Sequence, residues 1–206
     1  MIKTVIFDIG NVILNFDIDE ILKKYTDNEE ERVFIKNNVF NSPEWTGIGL
    51  IDIGYITLEE AAEQIKDRTN HENDAVVDDF LSGYMDIAYV DKRVIDLMYK
   101  LKENGYKVYI LSNISKQITE KLNIDQVFKD IDGYVLSYEY HQIKPHESIY
   151  ETLINKYNIN PEEALFVDDR QDNLDTANKF GIKGHHVAKN SYESIIDLLK
   201  EYNVVR

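Results

Sequence analysis

The stretch Val5-Ile6-Phe7-Asp8-Ile9-Gly10-Asn11-Val12-Ile13-Leu14 decides how the rest of the chain is read. Thr4 to Phe7 is a β-branched and aromatic run that predicts a short strand. The strand delivers a single carboxylate, Asp8, into a Gly-Asn turn. A charge placed after a buried strand is costly unless it is paired, bound to a metal or exposed. In open parallel α/β sheets, ligands bind at the carboxyl ends of the strands. Asp8 is therefore the first candidate for chemistry, set against a plain reading as an Asx-turn that ends the strand.

Working outward, the pattern changes to helical spacing at Ile18, Ile21, Leu22 and Tyr25. A second helix is expected from about Glu29 to Phe40, with Val33, Asn37 and Phe40 on one side. The segment from Ser42 to Tyr55, with Pro43 and three glycines, reads as a loop. Thr57 and Glu60 fit a capping box, and a further short helix is expected from about Ala75 to Leu81. From Asp91, a plausible N-cap, helices and strands alternate. Strands are expected at Lys107–Leu111, Gly133–Ser137, Ala164–Val167 and, weakly, Lys183–Ala188. Alternation of this kind predicts a parallel sheet with right-handed crossovers. The fold class is thus α/β, a doubly wound parallel sheet. Residues 1–15 and 89–206 would form the core, and 16–88 would form a helical cap inserted after the first strand.

Composition narrows the function. The 206 residues suit one domain with a small insertion, and 43% hydrophobic content is enough for a sizeable core. Lys plus Arg number 23 against 38 for Asp plus Glu, a formal net charge of −15. That balance argues against partners such as nucleic acid or an anionic membrane, and it means that any anion site must be local. The chain has no cysteine, hence no disulfide framework, thiolate metal site or cysteine nucleophile. With no secretory pattern and no long apolar run, a soluble cytoplasmic protein is expected. Its oligomeric state is open.

Three of the expected strands end in polar groups: Asp8, Ser112 followed by Asn113, and Asp168-Asp169. In a parallel sheet these ends share one edge. Carboxylates gathered there repel one another, and a bound cation is the usual remedy. Oxygen ligands favour a hard ion such as Mg²⁺. Lys144, just ahead of a helix, can point at the same edge and help to create a local anion site. Taken singly, each of these residues also has a plain reading as a cap or surface charge.

Together the motifs Phe7-Asp8-Ile9-Gly10-Asn11-Val12, Leu111-Ser112-Asn113, Lys144-Pro145 and Phe166-Val167-Asp168-Asp169-Arg170 resemble the haloacid dehalogenase superfamily, in the branch with a helical cap after the first core strand. The form Asp-Ile-Gly-Asn-Val, with Trp45 and Asp52-Ile53-Gly54, is most similar to a bacterial sub-branch that includes a glucose-1-phosphate phosphatase. The resemblance implies a Mg²⁺-dependent phosphomonoesterase acting on a small soluble phosphate, plausibly a sugar phosphate. Asp8 would be the nucleophile, forming an aspartyl-phosphate that water hydrolyses. Asn11, Ser112, Asn113, Lys144 and backbone amides after Asp8 would contact the phosphoryl group. Mg²⁺ would bind Asp8, Asp169 and the Gly10 carbonyl, with Asp168 in or beside the coordination sphere. Trp45 could stack on a sugar ring and Asp52 could bind a hydroxyl; each also reads as an ordinary residue of the helical insertion.

One departure stands out. Many members carry a second Asp two residues after the nucleophile as general acid and base, and here that position is Gly10. Asp17, Asp52 or a water could take its place, and weak activity on alkyl phosphates is the expectation if none does. Two rival functions are a metal-independent 2-haloacid dehalogenase, which the Asp168-Asp169 pair disfavours, and a non-catalytic binding module. His185-His186 would have one side chain facing in and one out, while His71, His141 and His146 read as solvated loop residues.

Overall fold

The computed structural model describes residues 1–205 apart from 41–47, 84, 85, 87, 122, 124, 125, 127, 128 and 185. Trp45 and His185 therefore lie outside the described residues. The central sheet has four parallel strands in the order β5 (Gly133–Leu136), β4 (Lys107–Ser112), β1 (Thr4–Phe7) and β6 (Ala164–Val167). Strand β1 pairs with β4 on one side and with β6 on the other, Phe7 standing opposite both Ile110 and Val167. After β1 the chain builds outward through β4 and β5, then returns to the other flank. The crevice beyond the end of β1 is thus a topological switch point, where open α/β sheets bind ligands.

Alternation along β1 explains why Val5, Ile6 and Phe7 are all apolar. Val5 and Phe7 join the core cluster holding Val94, Met98 and Leu101 of α6 (Lys92–Glu103) and Ile195 and Leu199 of α11 (Tyr192–Glu201). Ile6 faces the opposite cluster, with Ile149, Tyr150 and Leu153 of α9 (Glu147–Tyr157) and Leu174 and Ala177 of α10 (Gln171–Lys179). A strand covered by helices on both faces has no polar side to show. Asp8 is the first residue of this run that needs a polar partner.

Between β2 (Leu14–Asn15) and β3 (Tyr89–Val90) the described chain is mainly helical. It forms α1 (Ile18–Tyr25), α2 (Glu29–Ile35) with a π-helical turn Lys36–Phe40, α3 (Ile48–Asp52), α4 (Leu58–Arg68) and α5 (Asp74–Gly83). The capping box at Thr57 is present: Thr57 N–H donates to Glu60 at 2.8 Å, and Glu60 N–H to Thr57 Oγ1 at 3.2 Å. Asp91 caps α6, its Oδ1 accepting from Arg93 N–H at 2.9 Å. Strands β2 and β3 pair antiparallel, so the chain leaves and re-enters the core side by side. The Asn15 amide, donating to Tyr89 Oη at 2.6 Å, fastens this neck.

Several sequence expectations are corrected. The loop expected over 42–55 contains α3, and past its last residue the backbone folds back on it, Gly54 N–H donating to the Ile51 carbonyl at 3.0 Å and Tyr55 N–H to the Leu50 carbonyl at 2.9 Å; residues 42–47 lie outside the described ones. Val33 is exposed at 52%, while its neighbours Phe34 and Ile35 turn inward with Val39 and Phe40. Of the strand expected over 183–188, the described residues show one bridge, between Lys183 and Leu165. Gly184 runs so close to the Phe166 carbonyl that a Cβ there would lie 2.6 Å from its oxygen, and beyond it Val187 N–H donates to the Asp168 carbonyl at 3.2 Å. Two short helices, α7 (Lys116–Lys121) and α8 (Ser137–Tyr140), and a 3-10 turn Pro161–Glu163 complete the described elements. Among the described residues no helix is long and apolar enough to cross a membrane.

Candidate active site

Asp8 leaves β1 with its amide still bonded to the Val167 carbonyl at 3.0 Å. A tight turn follows, in which Ile13 and Leu14 both donate to the Ile9 carbonyl, at 2.9 and 2.7 Å, and Asn11 takes a left-handed φ of 55°. Asparagine tolerates that conformation better than most residues. The turn aims the Asn11 side chain at the next strand end, where its amide donates to Asp169 Oδ2 at 3.1 Å.

The four polar segments do converge. Asp8, Asp168 and Asp169 each place a carboxylate oxygen within 4.8 Å of the others. Lys144, only 3% exposed, reaches between two of them, 2.9 Å from Asp8 Oδ1 and 2.7 Å from Asp168 Oδ2. Its ammonium also lies 5.2 Å from the centre of the Phe166 ring. Burial alone would lower the Lys144 pKa, but the Asp168 and Asp8 charges outweigh it and hold the ammonium above its usual range. Asn113 shapes this contact from behind: its Oδ1 accepts from Lys144 N–H at 2.8 Å and its amide donates to the Lys144 carbonyl at 2.8 Å. Ser112 is fully buried at the end of β4. Its hydroxyl lies near enough to Asp8 to favour the carboxylate, yet no described partner stands at good hydrogen-bonding geometry.

The three carboxylates are not equivalent. Asp168, with no exposed surface, accepts from Lys144, from Arg170 N–H at 2.8 Å and from the Asn173 amide at 3.0 Å to each oxygen. Asp8 is raised to about 6, first by burial and then by the neighbouring Asp168 charge, with Lys144 opposing. Asp169 is raised by burial and Asp168 together. Asp8 and Asp169 thus carry negative charge that the protein compensates incompletely, which is the condition a divalent cation relieves. Backbone supply is more limited than the sequence implied: the amides of Ile9 and Asn11 are engaged by Asp8 Oδ1 at 2.7 Å and the Leu14 carbonyl at 2.7 Å.

A cleft of about 320 Å³ opens over this cluster, lined among others by Asp8, Gly10, Asn11, Asn113, Lys144, Asp169 and Lys189. That volume suits a small ligand. Asp52, from the end of α3, lines the same cleft, so the helical segment contributes one carboxylate to it. Asp17 does not: it caps α1, its Oδ1 accepting from Glu20 N–H at 3.0 Å. His141 lies exposed in a turn, as expected of a solvated loop residue, and its Nδ1 also stands 2.9 Å from the Ile53 carbonyl while its ring stacks on Tyr55. Sequence reasoning gave no role to Asn173, Arg170 or Lys189, although Arg170 closes the fourth motif and Asn173 stands as a polar residue in the first turn of the helix after β6.

A family model for haloacid dehalogenase-like hydrolases matches residues 2–181. D-ribitol-5-phosphate phosphatase of Bacteroides thetaiotaomicron is 25% identical over 198 residues, 89% of this chain and 90% of its own length. (S)-2-haloacid dehalogenase 4A of Burkholderia cepacia is 30% identical over 118 residues, 55% of this chain and 50% of its own. Among solved structures, a haloacid dehalogenase family enzyme of B. thetaiotaomicron in complex with magnesium and inorganic phosphate superposes with a TM-score of 0.73 at 23% identity, covering 95% of this chain and 99% of that one. A HAD-like hydrolase from Porphyromonas gingivalis superposes at 0.74 and 19% identity, covering 100% of both chains. The strand-end motifs, their convergence at the switch point and a family match across most of the sequence agree: the chain belongs to the haloacid dehalogenase-like hydrolases.

Proposed function

We propose that this chain is a Mg²⁺-dependent phosphomonoesterase that acts on a small phosphate, plausibly a sugar phosphate, through an aspartyl-phosphate at Asp8. The observation that carries the reading is the buried trio of Asp8, Asp168 and Asp169 held around Lys144 on the floor of a small cleft. The full-length similarity to a ribitol-5-phosphate phosphatase supports the substrate class.

Asp8 and Asp169, with the Gly10 carbonyl, would hold the metal ion. Asp168 already accepts four hydrogen bonds and is better placed to orient Lys144 than to give an oxygen to the metal. When bound, Mg²⁺ would neutralise charge on the transferring phosphoryl group. Asp8, raised to about 6, is mostly ionised at neutral pH and can attack phosphorus. Lys144 would meet the phosphoryl oxygens with Ser112, while Asn113 fixes the lysine backbone. Asn11 fixes Asp169. Residues 16–88 would act as a cap that closes the cleft and sets specificity, Trp45 included.

The similarity to a haloacid dehalogenase over about half the chain supports a second reading, attack by Asp8 on a carbon–halogen bond. That reaction leaves the Asp8–Asp169 charge without a cation and would set a carboxylate substrate against it. A screen over phosphorylated metabolites with and without Mg²⁺, with Asp8→Asn as control, tests the proposal. Mg²⁺-dependent phosphate release that disappears in Asp8→Asn is expected. Chloride release from 2-chloropropionate in EDTA, without phosphatase activity, would overturn it.

A further inference from the structure

We propose that Asp52, carried into the cleft by the helical segment, is the proton donor to the leaving group, standing in for a carboxylate that the β1 turn lacks. The inference rests on the phosphomonoesterase reading and adds a catalytic residue to it. Breaking a P–O bond to an alkyl group leaves an alkoxide, which is a poor leaving group unless it receives a proton. Among the described residues, three carboxylates line the cleft. Asp8 is needed as nucleophile and is bonded to Lys144 and to the Ile9 amide. Asp169 is held by Asn11 and belongs to the acidic trio. Asp52 alone has no side-chain hydrogen bond or ion pair among the described residues.

Two independent observations support this assignment. A Cβ on Gly10 would meet nothing within 4 Å, and Gly10 is not in the left-handed region. The turn therefore has open space where a side chain two residues beyond Asp8 would stand. Meanwhile Asp52, the last residue of α3, and the three residues after it are clasped by the segment Ser137–His141. The Ser137 hydroxyl donates to the Asp52 carbonyl. The His141 ring meets the Ile53 carbonyl at 2.9 Å. Gly54, at φ +80°, lies so close to Tyr138 that a Cβ would stand 2.6 Å from its carbonyl oxygen. Tyr55 stacks on the His141 ring at 5.1 Å. The backbone of Asp52 is thus fixed to the core while its carboxyl is left free to face the ligand.

The electrostatics agree with that role. Burial pushes the Asp52 carboxyl up to about 7, with no cation opposing it. Part of the residue still reaches the solvent of the cleft, so it can exchange its proton. The other charged groups that line the cleft have partners of their own: Lys144 in Asp8 and Asp168, Arg170 in Asp172 at 2.6 Å, and Lys189 in the charge of Asp169. Glu139 and His141 lie on the clasping segment, and Lys116 lines the far side of Tyr55.

The step balances as follows. Asp8 Oδ forms a bond to phosphorus as the bond from phosphorus to the leaving oxygen breaks, and the Asp52 proton passes to that oxygen, releasing the alcohol. Asp52, now a carboxylate, takes a proton from the water that attacks the aspartyl-phosphate. Inorganic phosphate leaves, Asp8 is regenerated, and Asp52 is protonated again.

The test compares p-nitrophenyl phosphate, whose leaving group needs little protonation, with benzyl phosphate, whose leaving group needs it. For Asp52→Asn, kcat/KM on benzyl phosphate should fall by roughly 10²- to 10⁴-fold, far more than on p-nitrophenyl phosphate. The alkaline limb of the benzyl phosphate pH profile should go with it. Adding Gly10→Asp to Asp52→Asn should restore much of the benzyl phosphate activity. Should Asn unsettle the fold, judged by its melting curve, Asp52→Ser is read in its place. Equal losses on the two esters, or an undiminished rate on benzyl phosphate, would overturn the role of Asp52 while leaving the phosphatase reading intact. A wild-type enzyme that turns over neither ester with Mg²⁺ would overturn both.

Discussion

Two walls of one cleft treat their carboxylates differently. On the floor, where β1, β4 and β6 end, Asp168 accepts four hydrogen bonds and shares Lys144 with Asp8, and Asp169 is held by Asn11. On the opposite wall, Asp52 is held only through its backbone, by Ser137 and the residues beside it. The floor is built by packing: its strands lie between two apolar clusters, and charge is admitted only where partners are fixed in advance. The opposite wall leaves its charge-bearing group unpartnered. A rigid, precharged floor suits nucleophilic attack, and an uncommitted acid suits proton transfer.

Removing the nucleophile is the most severe way to break the contrast. Asp8→Asn should abolish phosphate release, with a loss beyond the roughly 10⁴-fold ceiling of general acid catalysis that bounds Asp52→Asn. Steady-state kinetics on the same ester measures both. Next comes Lys144→Met, which leaves Asp8 and Asp168 buried without their shared cation. Loss of one partner of a buried pair costs about 3–5 kcal/mol, read in urea unfolding. The deficit should shrink as pH falls through 6, because protonated Asp8 no longer needs the lysine.

The floor also predicts a pH effect on the metal-free protein. Asp8 and Asp169 have folded-state pKa values above their ordinary ones, so the folded state binds their protons more tightly than the unfolded chain. Stability should therefore be greatest below pH 4, where both states are protonated, as far as these two groups decide it, and should fall as pH rises through about 6. Adding Mg²⁺ should raise the melting temperature more at pH 7.5 than at pH 5. An equal shift at both pH values would mean that the ion does not bind these carboxylates.

Smaller effects sharpen the comparison. Asn173→Ala removes the amide that touches both oxygens of Asp168, and a hydrogen bond to a charged group contributes about 1.5–3 kcal/mol. Ser137→Ala removes one clasp of the opposite wall. It should cost about 1 kcal/mol in stability and slow esters with poor leaving groups more than those with good ones.

The floor was legible in the sequence because its features follow from strand physics. A continuous apolar run that ends abruptly in a carboxylate, or in a Ser or Asp-Asp pair, marks both the strand and its terminus. Asn113 and Asn11 were picked out for the right place, but their amides serve Lys144 and Asp169 rather than standing free in the cleft. Asn173 was missed because a polar residue in a first helical turn looks like any capping residue until Asp168 is seen beside it. The opposite wall was harder to read. α3 is only five residues long and rich in the signals of a loop, and what orders it is its contact with Ser137–His141, more than 80 positions away. Val33 faces outward because the helix turns on Phe34 and Ile35, and a stripe drawn through Val33, Asn37 and Phe40 follows the wrong face.

The central claim, covalent capture of phosphorus by Asp8, is tested most directly by acid quench of the wild-type enzyme during turnover of p-nitrophenyl phosphate with Mg²⁺, followed by peptide mass spectrometry. A phosphoryl adduct on the peptide carrying Asp8, absent in Asp8→Asn and without Mg²⁺, is the predicted result. Steady phosphate release by Asp8→Asn at the wild-type rate, with no adduct at Asp8 in either protein, would contradict it.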